Sequence, residues 1–309
     1  MKCLSSNCSY TKHSTRGGNY CCRKCANTPN THGRACQRIV EGIETTRLDE
    51  PKRLKRALLV GINYLENPRN RLAGCINDVK NMKAQLTTAN PECKEFRILT
   101  DDSNDPLLQP TRKNIIDGIN WLVKDLNPNE SVFFHYSGHG GLTLDLSGDE
   151  KSGKDSCIYP IQAGEIEIIT DDELRIELVN KIPTSCKAFV VLDSCHSGTA
   201  LDLRYILRAP RYGEILIRQN NAYPESNGSV IFLSGCADNQ TSADTVDSNN
   251  IPSGALTNSL LEVWKKYGMD IKFKHLLWDV RAVLKTNGYS QIPQMSCSNN
   301  INIDDTFRL

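Results

Sequence analysis

Between Leu54 and Cys297, short apolar runs alternate with stretches of helical periodicity, and this alternation restricts the fold more than any other feature. The run Arg56-Ala-Leu-Leu-Val-Gly-Ile62 reads as a buried strand, as do Glu95–Leu99, Ser131–Tyr136, Lys187–Leu192 and Ser229–Leu233. Helical spacing covers 74–88 (Ile76, Val79, Met82, Leu86) and 114–126 (Ile115, Ile116, Ile119, Leu122, Val123), then 172–179, 255–267 and 273–286. Gln291 to Cys297 reads as a last strand. Strands separated by helices pair through crossovers, so the expected fold is α/β, with a central, mainly parallel sheet flanked by helices in three layers. In such sheets, sites form at the carboxyl ends of the strands. Stretches 142–157 and 204–228 read as long loops.

The first 37 residues differ in kind. They hold six of the 13 cysteines and have no apolar periodicity. Such a segment cannot build a core and needs a metal or staples to fold. Cys3, Cys8, Cys22 and Cys25 are spaced like paired zinc ligands, with His13, Cys21, His32 and Cys36 as further candidates. We expect a small Cys-rich, zinc-finger-like segment over 1–37 that holds structural Zn2+ and either binds a protein partner or inhibits. A polar linker follows over 38–53, and the α/β domain occupies 54–309. Met1 to Tyr10 has no apolar core, which predicts no secretory signal and a reducing, cytoplasmic setting where a free thiol survives. Lys plus Arg (37) balances Asp plus Glu (36), which argues against nucleic acid as a partner. No stretch reaches the ~18 apolar residues of a membrane span.

Two strand ends carry chemistry. One reads His135-Tyr-Ser-Gly-His-Gly-Gly141 and the other Asp193-Ser-Cys-His-Ser-Gly198. If the two strands are parallel neighbours, His139 and Cys195 emerge at one sheet edge. A thiol needs a base or a lowered pKa to attack a peptide carbonyl, and an imidazole there can take its proton. The backbone N–H groups near Gly140 and Cys195 could form an oxyanion hole. His139 and Cys195 stand 56 residues apart, close to the roughly 50 of caspases. His135 and His196 compete as the base. His135 lies within its strand and should point into the fold, and His196 adjoins Cys195, from which its side chain should diverge.

With these two motifs in place, the chain resembles a metacaspase over about residues 54–307. Further matches are Gly61-Ile-Asn-Tyr64, Leu72-Ala-Gly-Cys-Ile-Asn-Asp-Val79, Ser234-Gly-Cys-Ala-Asp-Asn-Gln-Thr-Ser-Ala-Asp244 and Gln291-Ile-Pro-Gln-Met-Ser296. The order of segments resembles type I metacaspases. That implies a caspase-like fold with a large segment over 54–203, a connecting loop over 204–228 and a small segment over 229–309. Asp-Ser-Cys-His-Ser-Gly replaces the caspase signature, so cleavage after Asp is not implied.

The resemblance implies a cysteine endopeptidase that cuts after Arg or Lys. Cys195 is then the nucleophile and His139 the acid/base, with Cys75, Asp78, Ser137 and Asp193 as pocket residues. A carboxylate pair suits an Arg fork or a Lys ammonium. Without the family, Asp78 reads as a solvated charge on a helix face. The resemblance also implies Ca2+ activation at Asp155, Asp171, Asp172 and Asp202, all hard oxygen donors. From the residues alone, Asp171 and Asp172 read as caps of the helix that begins there. Self-cutting in the connecting loop would use Arg204, Arg208, Arg211 or Arg218. The family further implies a monomer made as a zymogen. The rival readings are a catalytically silent scaffold and a zinc-finger interaction protein.

Overall fold

In the order of the chain, the elements are β1 (Arg53–Gly61), α1 (Cys75–Ala89), β2 (Glu95–Thr100), α2 (Arg112–Val123), β3 (Glu130–Ser137), β4 (Gly140–Leu144), β5 (Lys154–Ile158), β6 (Ile169–Thr170), α3 (Asp171–Glu177), β7 (Lys187–Asp193), β8 (Tyr205–Arg208) and β9 (Leu216–Gln219). There follow β10 (Ser229–Ser234), β11 (Asp244–Val246), β12 (Pro252–Gly254), α4 (Ala255–Tyr267), β13 (Ile271–Lys272), α5 (Phe273–Thr286), β14 (Gln294–Cys297) and β15 (Thr306–Phe307). This computed structural model describes residues 53–145, 153–161, 167–195, 200–235, 244–246 and 251–309, all within one compact unit. The expected zinc-finger-like segment, with Cys3, Cys8, Cys22, Cys25, His32 and Cys36 as its expected ligands, lies outside the described residues.

The main sheet has eight strands in the order β2-β1-β3-β7-β10-β14-β8-β9. The first five are parallel, and β14, β8 and β9 each run antiparallel to the strand before them in that order. Strands buried on both faces need apolar side chains at successive positions. Ala57 and Leu59 face one side while Leu58 and Val60 face the other, and Phe133 and Phe134 split the same way. The first face is covered by α1, α4 and α5 through Met82, Leu260, Trp264 and Leu277. The second is covered by α2 and α3 through Ile119, Leu122 and Leu174. Phe133, Phe189 and Trp264 pack as a trio with ring centroids 5.8, 6.4 and 6.2 Å apart. Each such ring contributes about 2–3 kcal/mol by burial, and together they fasten α4 to β3 and β7. Gly268, at φ +78°, ends α4 in a conformation that favours glycine.

The structure corrects several boundaries. Stretch 142–157 contains parts of β4 and β5, which pair antiparallel from Gly140↔Ile158 to Leu144↔Lys154. Stretch 204–228 carries β8 and β9, which extend the main sheet. Both were hidden because the strands are short and β9 is exposed at every position, so no alternation marks it. Strand β1 begins at Arg53, the last residue of the stretch read as linker. The Thr111 side chain accepts the Asn114 N–H at 3.2 Å and starts α2 at Arg112, two residues early. The cap of α3 is Thr170, which forms a reciprocal box with Glu173, so Asp171 and Asp172 are not the capping residues. Among the described residues, no helix is long and apolar enough to cross a membrane.

Candidate active site

Strands β3 and β7 are parallel neighbours, with Ser137 opposite Asp193. His139 and Cys195 each lie two residues beyond that paired row. The two chains stay together past the strand ends, where the Gly138 N–H donates to the Asp193 carbonyl at 3.3 Å. At Gly140 a Cβ would overlap the Cys195 carbonyl oxygen, so only glycine lets these two backbones pass so close. The turn carrying His139 therefore lies directly against the turn carrying Cys195.

Both functional side chains are half-buried. Cys195 differs in this from the other free cysteines of the described residues (Cys75, Cys93, Cys157, Cys186 and Cys297), which are all buried. The His139 Nε2 lies 2.7 Å from the Asn70 carbonyl. A carbonyl only accepts, so Nε2 carries the hydrogen and a neutral ring keeps its lone pair on Nδ1. His135 points inward, as expected for a residue within β3. It is fully buried, its Nε2 lies 3.0 Å from the Thr257 hydroxyl, and burial pushes its pKa down to about 3. A ring so enclosed cannot reach substrate, which removes it as the base. His196 lies outside the described residues.

Asp78 is the clearest departure from a residue-only reading. It is not a solvated charge but fully buried, with 0% exposure. Ser137 donates to its Oδ2 at 2.6 Å, Ser253 to its Oδ1 at 2.6 Å, and the Gly254 N–H to both oxygens at 2.9 Å. Asp193 accepts the Thr257 N–H at 2.8 Å. A Cβ on Gly254 would meet both carboxylates, so Asp78 and Asp193 stand side by side under the start of α4. There they also satisfy N–H groups at that helix N-terminus. Burial, and then the neighbouring Asp193 charge, push the Asp78 carboxyl up to about 8. Cys75 is buried one turn earlier on α1. The four expected pocket residues thus gather where β3, β7 and α1 meet. Ser253 and Gly254 belong to the same cluster, but nothing in the sequence near them points to carboxylates more than 50 residues away.

Of the expected calcium ligands, Asp155 and Asp171 are buried and Asp172 is half-buried. Asp171 accepts the N–H groups of Ser156 (2.7 Å) and Asp172 (3.0 Å). Burial, and then the charges of Asp155 and Asp172, push its carboxyl up to about 8 despite those bonds. Asp202 sits at φ +49°, and its carbonyl accepts from Arg175 of α3. Carboxylate oxygens are the donors a hard divalent cation takes, and a cation there would relieve the repulsion that Asp155 and Asp172 exert on Asp171. Among the described residues, no group of three or more His, Cys, Asp or Glu side chains is already arranged to hold a metal.

A three-layer sheet with a thiol and an imidazole on adjacent strand ends defines a caspase-like α/β protein with a candidate peptidase site. Caspase-1 from Spodoptera frugiperda shares the fold with a TM-score of 0.52 at 10% identity, over 86% of this chain and 94% of that one. Protein GSU0716 from Geobacter sulfurreducens does so at 0.57 and 23% identity, over 82% and 97%. Residues 55–204 match the family described as metacaspase, peptidase C14 domain. Metacaspase-1 of Scheffersomyces stipitis is 38% identical, with 79% of this chain and 70% of that protein covered. Metacaspase-1 of Schizosaccharomyces pombe is 38% identical over 81% and 68%, and that of Ajellomyces capsulatus 38% over 81% and 81%. The chain belongs to the metacaspase family of cysteine peptidases.

Proposed function

We propose that this protein is a calcium-stimulated endopeptidase that cuts after Arg or Lys, acting as a monomeric cytoplasmic zymogen. The observation that carries this reading is the shared row Ser137↔Asp193, two residues beyond which stand His139 and Cys195. The Cys195 thiol gives its proton to the His139 Nδ1 and attacks the scissile carbonyl. The Asn70 carbonyl, on the Nε2 hydrogen, favours the imidazolium so formed. The amides of Gly140 and Cys195 receive the oxyanion. His139 then protonates the leaving amine, and water hydrolyses the thioester. Asp78 and Asp193 take the guanidinium or ammonium of the residue before the cut. The other half of the reading is a scissile loop. Arg211 lies between β8 and β9, and its side chain is 82% exposed, so we place the self-processing cut after it. The N-terminal zinc-finger-like segment holds Zn2+ and recruits a partner.

Asp155, Asp171, Asp172 and Asp202 would hold calcium, whose charge would offset theirs and steady β5 and the start of α3. We expect hydrolysis of an Arg-ended fluorogenic peptide to rise at least about tenfold across a calcium titration, and an Asp-ended peptide to stay uncut. Undiminished cleavage in chelator would remove calcium from the account. Preference for the Asp-ended peptide would remove the basic pocket.

A further inference from the structure

The peptidase reading leaves open what holds the base in place, and the loop after β1 supplies an answer. The Tyr64 hydroxyl accepts the backbone N–H of His139 at 2.9 Å and donates to the Tyr159 carbonyl at 2.7 Å. The Tyr136 hydroxyl donates to the His139 carbonyl at 2.7 Å. The two hydroxyls lie 3.2 Å apart. One residue is thus gripped at both its N–H and its C=O by a pair of buried phenols. The Tyr64 ring also lies against the His139 imidazole, with centroids 4.5 Å apart and planes tilted by 35°.

Two further features belong to this grip. Tyr64 sits at φ +53°, a conformation that a bulky side chain rarely adopts. Asp101 holds it there, accepting the N–H groups on either side, Asn63 at 2.9 Å and Leu65 at 2.9 Å. At Gly138 a Cβ would come within 2.7 Å of the Tyr136 hydroxyl and 3.2 Å of the Tyr64 hydroxyl. The glycine before His139 therefore leaves room for the phenols.

We propose that Tyr64 and Tyr136 are positioning residues of the peptidase site, whose hydroxyls clamp the backbone of His139 while the Tyr64 ring sets the plane of its imidazole. This rests on His139 serving as the acid/base. A loosened imidazole slows proton transfer but leaves substrate binding alone, so the loss falls on kcat.

The test compares Tyr64→Phe and Tyr136→Phe with a core control, Leu122→Ala in α2, using the full chain with calcium. Two quantities are read below the melting temperature: kcat and KM on an Arg-ended peptide, and the iodoacetamide alkylation rate of the Cys195-bearing peptide by mass spectrometry. Each Phe variant should lose about tenfold in kcat with KM within about twofold, and the alkylation rate should fall in step. Leu122→Ala should melt earlier and keep both rates. Wild-type kcat and alkylation in the two Phe variants would overturn the inference and leave the hydroxyls a structural role. Unfolding of one variant leaves the other to decide, and unfolding of both would assign the phenols to stability and also overturn it. Failure of the underlying reading looks different, since Cys195→Ala would then still hydrolyse the peptide.

Discussion

Cys195→Ala is expected to remove hydrolysis of an Arg-ended peptide altogether, by at least ~10⁴-fold in kcat. The alanine lacks the thiol that stands beside the His139 turn, and among the described free cysteines Cys195 alone is not buried. His139→Ala should cost a loss of the same order. The double variant should be no worse than either single one, because thiol and imidazole act as one unit. Stability should barely move, since both side chains are half-buried at the sheet edge and neither fills the core. Melting curves matching wild type, beside the lost rate, check this.

Asp78→Asn is expected to change activity and stability in opposite directions. An incoming guanidinium or ammonium favours the ionised form of Asp78, which asparagine cannot supply, so kcat/KM on Arg or Lys substrates should fall about a hundredfold or more. Stability follows from the raised pKa. The folded protein keeps a proton on Asp78 up to about 8, whereas the unfolded chain loses it near 3.8. Between those pH values the unfolded state binds fewer protons, so stability falls as pH rises through the window and levels off above it. Asparagine can still accept from Gly254, and the hydroxyls of Ser137 and Ser253 can turn to meet its amide. The variant should therefore melt higher than wild type at pH 8, by roughly 5 °C, with the gap closing near pH 4. A lower melting point at pH 8 would mean that the ionised carboxylate stabilises α4. A gap of the same size at pH 4 would deny the titration.

What was legible in the sequence follows from what local pattern can encode. Continuous apolar runs such as Ser131–Tyr136 announce strands buried on both faces, and their alternation with helices leaves few topologies. His139 and Cys195 were readable because glycines and polar residues interrupt those runs at their carboxyl ends. Strand β9 was not readable, because Leu216–Gln219 is exposed throughout and carries no period, and β8 is only four residues long. The burial of Asp78 was hidden for another reason. Its partners Ser253 and Gly254 lie 175 and 176 residues away, and a helix pattern says nothing about so distant a neighbour. The capping role given to Asp171 and Asp172 fell to Thr170 because the helix starts one residue earlier than its pattern suggests. Tyr64 stood in the sequence only as the end of the matched run Gly61-Ile-Asn-Tyr64, without a role of its own, because it acts through a backbone amide 75 residues on.

In the proposed reaction the Cys195 sulfur attacks with the help of the His139 imidazole while a basic side chain fills the neighbouring pocket. An Arg-ended peptidyl acyloxymethyl ketone tests it most directly, because a thiolate displaces the carboxylate leaving group and keeps the peptide as a thioether. Peptide mapping after calcium-supported labelling should place one adduct on Cys195. Labelling should be slowed at least about a hundredfold in His139→Ala and should not occur with the Asp-ended analogue. An adduct on another cysteine, or equal labelling of Cys195 without His139, would contradict the account.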